Sequence, residues 1–200
     1  MRKLVYIALV SSFGTVFAQD TTETAESKDK NLYNRWAFEV QEGQNKPVRP
    51  FATGYYSSDP GKLFSFSGTN HINLGVRYML SNAFGLKLDY AMDQFTPQTG
   101  AGSLPFDTKL NRFGFQGVMN LGRVLRFESF TSRVGLLTHA GIHVSKFTVN
   151  QGANQNVTEE NGGIMFGITP QIRLTKWMAL TGDFTVVNNV RQHILFRYTI

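Results

Sequence analysis

The chain has 200 residues, a formal charge of +6, 42% hydrophobic residues and no cysteine. That length fits one domain, and the absence of thiols excludes a disulfide framework and a lipoprotein attachment site. The basic residues are spread rather than clustered, which suits an anionic membrane surface or lipid head groups and argues against nucleic acid as a partner.

Arg2 and Lys3 precede an apolar run from Leu4 to Phe17, and Val16-Phe17-Ala18 places small residues where a signal peptidase reads. Residues 1–18 therefore have the form of a secretory signal peptide cleaved after Ala18. No other run approaches the ~20 apolar residues a spanning helix needs. A membrane-embedded form of this chain must be a closed sheet, because hydrocarbon tolerates no unpaired strand edge. Residues 19–33 are acidic, Thr/Ser-rich and nearly free of apolar side chains until Leu32, and predict a flexible leader.

From about Arg35 the pattern changes to a period of two. Trp36, Phe38 and Val40 alternate with Ala37, Glu39 and Gln41. A long connection from Gly43 to about Phe66 follows, with Pro47, Pro50, Pro60 and the aromatic pair Tyr55-Tyr56. Next, Ile72, Leu74, Val76, Tyr78 and Leu80 alternate with Asn73, Gly75, Arg77 and Met79. After Ser81-Asn82-Ala83, the residues Phe84, Leu86, Leu88, Tyr90 and Met92 alternate with Gly85, Lys87, Asp89, Ala91 and Asp93. This is a hairpin with one apolar face and one face of glycine and charge.

A second long loop lies around Pro97 to Phe106. A strand from about Lys109 to Leu121 sets Phe113 and Phe115 against Arg112, Gly114 and Gln116, and a medium connection runs from Gly122 to Thr131. The next strand sets Val134, Leu136, Ala140, Ile142 and Val144 against Leu137, His139, His143 and Ser145. A third polar loop is expected from Asn150 to Gly163. Two strands then flank Thr175-Lys176-Trp177, with Ile164, Phe166, Ile168 and Ile172 opposite Gly167, Thr169, Gln171 and Arg173, and Leu180, Phe184 and Val186 opposite Thr181, Asp183 and Thr185. Asn188-Asn189 can turn the chain into a last strand, Ile194 to Ile200, which is short against the ~9–11 residues a spanning strand uses.

Long, short, long, medium, long, short: that order of connections marks an outer-membrane barrel, with long external loops and short periplasmic turns. The expected fold is all-β, a small up-and-down antiparallel transmembrane barrel of about eight strands over residues 34–200, its last strand short or incomplete. A soluble lipocalin-like barrel is the alternative, but it would have to bury the charged rows or expose the apolar ones. Glu39, Arg77, Lys87, Asp89, Arg112, Arg173 and Asp183 are expected inside as an ionic network, since each buried charge needs a partner. Trp36, Tyr78, Tyr90, Trp177 and Tyr198 are candidates for interfacial girdles.

The segments NKPVRPFATGYYSSDPGK, NHINLGVRYML, FGLKLDYAMDQF, FESFTSRVGLLTHAGIHVS, NGGIMFGITPQIRLT and LTGDFTVVNNVRQH resemble the barrel domain of OmpA-like outer-membrane proteins of flavobacteria and other Bacteroidetes. The resemblance implies an eight-stranded barrel in a Gram-negative outer membrane, with lipid, lipopolysaccharide and the barrel-assembly machinery as partners. Family members continue past NNVRQH into a long loop and a final strand, and carry a peptidoglycan-binding domain. This chain has neither pattern, so peptidoglycan binding is not expected of it.

Chemistry is weakly signalled. His139, His143 and Ser145 share one face of one strand, which raises a lipid-modifying hydrolase built on His143 and Ser145. No flanking motif marks the serine as a nucleophile, and no acid is placed to orient the histidine. His139 and His143 lie ~13 Å apart along the strand, too far to share a metal, and His71 is expected at a loop edge. Neither cofactor nor metal is expected, and no enzymatic activity. The functional expectation is a structural, envelope-integrity role with at most slow, nonspecific passage of small solutes. An adhesin or receptor acting through the long loops is the other alternative.

Overall fold

The computed structural model describes residues 6–19, 35–47, 54–55, 57, 69–97, 102–125, 133–152 and 155–189. These form eight antiparallel strands closed into one barrel: β1 (Tyr6–Gln19), β2 (Trp36–Pro47), β3 (His71–Met79), β4 (Phe84–Phe95), β5 (Asp107–Asn120), β6 (Val134–Gln151), β7 (Thr158–Arg173) and β8 (Met178–Asn189). One short helical turn, α1 (Leu121–Val124), lies between β5 and β6. Each strand pairs with its neighbours in sequence, and β1 closes on β8 with Tyr6 opposite Asn189 and Phe17 opposite Met178. An up-and-down barrel of eight strands is therefore the fold.

The short connections share one device. Ser81 Oγ accepts from the backbone N–H groups of Ala83 and Phe84 at 3.3 and 3.0 Å, and turns β3 into β4. Thr175 Oγ1 does the same for Trp177 and Met178 at 3.1 and 3.0 Å between β7 and β8. A hydroxyl that satisfies two turn amides fixes both hairpins with few residues. The β5–β6 connection starts at the same rim, where Asn120 Oδ1 caps α1 by accepting from Arg123 N–H at 3.2 Å. At the opposite rim the long connections leave the sheet. There Asn70 adds a side-chain rung, accepting from Asn45 N–H at 2.8 Å and donating to Asn45 C=O at 3.0 Å.

Several expectations shift. Tyr6–Gln19, read from the sequence as a signal segment, is β1 of this closed sheet, and its backbone supplies the partners that β2 and β8 need at their edges. The third long loop is shorter than the sequence suggests. β6 continues to Gln151 and β7 begins at Thr158, because inward Phe147, Val149, Glu159 and Asn161 prolong the alternation. Gly152 (φ +131) and Asn156 (φ 66) turn the tip between them. The leader 20–33, Tyr56, and the last strand 194–200 with Tyr198 lie outside the described residues.

Candidate functional site

The alternation sorts side chains by chemistry, in the direction opposite to a soluble protein. Leu74, Leu86 and Ile168 point away from the barrel axis and are 47%, 38% and 48% exposed. Phe38, Val76, Leu88, Phe115, Ile142 and Ile164 succeed one another around the wall in direct register, strand to strand. Soluble monomers expose apolar patches of a few hundred Å² at most, not a continuous girdle. Glu39 and Arg112, on the inward face, are 4% and 3% exposed.

The lumen is layered. Near the short-turn rim it is closed by Val16, Ala37, Met79, Val118 and Leu137, all buried. Below the long-loop rim Phe95, Phe106, Leu110 and Phe147 form a buried apolar cluster, with Tyr55 edge-on to Phe106 at 5.9 Å. Between these layers lies the ionic core. Glu39 bridges Arg77 at 3.1 Å and Lys87 at 2.7 Å. Asp183 accepts from Thr169 at 2.9 Å and from Thr185, and stands 3.3 Å from His139 Nε2. His139 Nδ1 meets Gln116 Oε1 at 2.5 Å. Gln41 Oε1 accepts from Asn73 at 3.0 Å and from Ser12 at 3.4 Å. Apolar layers above and below exclude water, which strengthens these contacts and raises the cost of breaking any one of them.

Of the seven charges expected inside, Glu39, Arg77, Lys87, Asp89, Arg112 and Asp183 are buried. Arg173 departs from the set. It is the last residue of β7 and is exposed, because the inward face there has already run out at the short-turn rim. His71 also differs from expectation: it opens β3 fully buried, with Nδ1 2.6 Å from Asp93 Oδ1. The sequence placed Asp93 on the inward face, and the β3–β4 register sets it opposite His71. The neutral members of the core, Gln41, Asn73, Gln116, Thr169 and Thr185, were legible only as the polar half of an alternation.

Trp36 and Tyr78 are cross-strand partners at the short-turn rim, their rings 4.7 Å apart, and Trp177 stands exposed in the β7–β8 turn at the same rim. Tyr90 lies toward the other rim, one outward position below Met92.

His143 and Ser145 are both buried in the lumen. No hydrogen bond joins the His143 ring to Ser145 Oγ, so the two do not act on each other. Nε and Nη1 of Arg112 and the side-chain amide of Asn161 are without protein partners. A cavity of about 10 Å³, lined by Asn73, Asp89, Arg112 and Gln116 among others, offers room for about one water. Among the described residues no three of His, Asp or Glu converge as metal ligands, and no helix is long and apolar enough to cross a membrane. Crossing would fall to the strands.

Fold and surface thus define a class: an all-β, closed, eight-stranded antiparallel barrel with apolar side chains outside and ionic ones inside. No protein-family model matches the chain, and no curated protein does. It aligns with the crystal structure of Ail, the attachment invasion locus protein of Yersinia pestis, in complex with the heparin analogue sucrose octasulfate. That match has 10% identity and a TM-score of 0.35, and covers 92% of this chain and 97% of that one. Neisserial surface protein A is similar at 9% identity and TM-score 0.36, over 94% and 97% of the two chains. The outer membrane protein OprG from Pseudomonas aeruginosa is similar at 10% identity and TM-score 0.40, over 94% of each. Likenesses this remote say nothing of function.

Proposed function

We propose that this chain is an integral outer-membrane barrel of a Gram-negative bacterium, acting as a structural element of the envelope. The observation that carries the reading is the inversion of polarity: an unbroken apolar girdle faces outward while, among the described residues, eight charged side chains are buried inside. In water the girdle would aggregate; in lipid it is solvated, and closure leaves no strand edge unpaired. The segments that resemble OmpA-like barrels of flavobacteria support the same placement. With eight strands the interior is just wide enough for side chains to fill it, and among the described residues apolar layers lie above and below an ion-paired middle. This favours a wall over a pore, and the buried, unlinked His143 and Ser145 favour a wall over a hydrolase.

The test is direct. Purified outer membrane should contain the protein in a form that migrates differently on a gel before and after boiling. Cysteines introduced singly at Leu74, Leu86 or Ile168 should resist a water-soluble, membrane-impermeant thiol reagent in intact vesicles. Ready labelling at all three positions would overturn the placement.

A further inference from the structure

We propose that the short-turn rim is a collar that binds anionic phospholipid head groups, centred on Arg133, Arg173 and Lys176. This rests on the membrane placement above and adds which lipid that rim selects.

Along the sequence the basic residues are dispersed, but the barrel gathers five of them at one end. Arg35 leads into β2, Arg123 lies in α1, Arg133 leads into β6, Arg173 ends β7, and Lys176 sits in the β7–β8 turn. All five are exposed, and among the described residues this rim carries no exposed Asp or Glu. Glu39, three residues above Trp36, is buried and already shared by Arg77 and Lys87. The opposite rim is mixed in sign. There Lys146 stands directly across from Glu160, and Lys109 is two residues from Asp107 on β5.

Two of the cations are neighbours across the sheet. Arg173 N–H donates to Arg133 C=O at 2.7 Å, which sets the two residues side by side. Like charges at facing positions repel. An anion held between them reverses the sign of that contact. A phosphodiester suits the place, because its two free oxygens share one negative charge and guanidinium groups bind such oxygens in pairs.

The company each cation keeps selects a lipid over a soluble polyanion. Every one is followed directly by an exposed apolar residue: Arg35-Trp36, Arg123-Val124, Arg133-Val134, Arg173-Leu174 and Lys176-Trp177. Those apolar neighbours are between 43% and 56% exposed. A soluble polyanion would satisfy the cations and leave these side chains in water. A phospholipid meets both, with acyl chains against the apolar residues and its phosphate against the cations that reach up to it. A zwitterionic lipid brings its own ammonium to the same place, so the net-negative head group is preferred. Near an anionic surface each such cation contributes about fivefold in affinity.

The chain's two tryptophans, Trp36 and Trp177, both stand at this rim and each follows one of the cations, so native fluorescence reports the collar without a label. The full barrel is reconstituted in vesicles of equimolar phosphatidylglycerol and phosphatidylcholine, with quenching bromines on the acyl chains of one lipid or the other. Quenching should show phosphatidylglycerol enriched about fivefold or more beside the tryptophans. Arg133→Gln, Arg173→Gln and Lys176→Gln together should remove the enrichment, whereas Arg133→Lys with Arg173→Lys should keep it. Should the triple variant not assemble, salt tests the parent: from 0.1 to 1 M the screening length falls from ~10 to ~3 Å, and the enrichment should fall with it. Equal quenching by the two lipids, with Leu74→Cys still protected from the impermeant thiol reagent, refutes the collar and leaves the membrane placement standing. Ready labelling at Leu74, Leu86 and Ile168 refutes both. Enrichment that survives in the triple variant, or in the parent at high salt, refutes the assignment to these cations. Equal quenching joined to peptidoglycan co-sedimentation that the triple variant loses also refutes the proposal, and gives the collar to a wall polymer.

Discussion

Leu88 stands midway along the outward row of β4, four residues from Phe84 and four from Met92, with Val76 and Phe115 as its cross-strand partners. From Phe84 to Met92 the strand rises ~27 Å, or ~21 Å along the barrel axis at a tilt of about 40°, which puts Leu88 ~10 Å from either edge of the apolar band. An arginine there cannot bring its guanidinium to the head groups without strain. Leu88→Arg should therefore carry the midplane penalty of ~2–4 kcal/mol, while Phe84→Arg, at the band's edge, should cost only ~0–1 kcal/mol. At 1.4 kcal/mol per decade, the first change shifts the folding equilibrium by about 30-fold to several-hundred-fold. The assay is reversible urea or guanidinium unfolding of the barrel in phospholipid vesicles, followed by Trp36 and Trp177 fluorescence and by the boiling-dependent gel shift. If the row faced water, Leu88→Arg would lie within about 0.5 kcal/mol of the parent. That result, with the barrel intact, would refute the assignment of faces.

Glu39→Gln removes the carboxylate shared by Arg77 and Lys87 and should destabilise by about 3–5 kcal/mol in the same titration, with partial recovery when Lys87→Met is added. Gly163→Ala would drive a methyl into the Asn188 carbonyl and the His143 ring, and should cost about 1–3 kcal/mol; at neighbouring Gly162 the nearest atom, the His143 carbonyl oxygen, is 3.7 Å away, so Gly162→Ala should be well tolerated. In planar bilayers the protein should give no discrete conductance steps, and regular steps would overturn the filled-lumen reading. Ser145→Ala should leave the acyl pattern of lipid A unchanged, since no described side chain bonds that hydroxyl; a changed pattern would revive the hydrolase.

Much of this barrel could be read from the chain because its wall is one residue thick. Each strand shows both of its environments in alternate letters, so Leu74 and Arg77 announce their faces without any tertiary information. Partners were harder to see. Glu39 meets Lys87 across an intervening strand, and Asp183 meets His139 across β7; register around a closed wall is what brings them together. Arg173 shows where alternation stops being informative: the period says which way a side chain points, not where the wall ends. The extension of β6 and β7 was hidden for a related reason. Beyond Val144 the outward residues turn polar, with Lys146, Thr148 and Asn150 against Thr158 and Glu160, and a polar strand reads like a loop. The apolar run of Tyr6–Gln19 lacks alternation altogether, so its composition suits an export signal and a strand alike.

That polar extension gives the molecule a profile. β4 ends three residues past Met92, about 8 Å above the lipid-facing rows, whereas β6 climbs seven residues past Val144, about 18 Å. The Gly152–Asn156 bend is thus carried by three strands, since β5 pairs with β6 as far as Asp107 and Gln151, and a Cβ on Gly152 would lie 3.4 Å from Phe106 and 3.9 Å from the Tyr55 ring. A probe reaching that rim would therefore meet a braced bend, backed by the Tyr55–Phe106 pair, rather than a free tip.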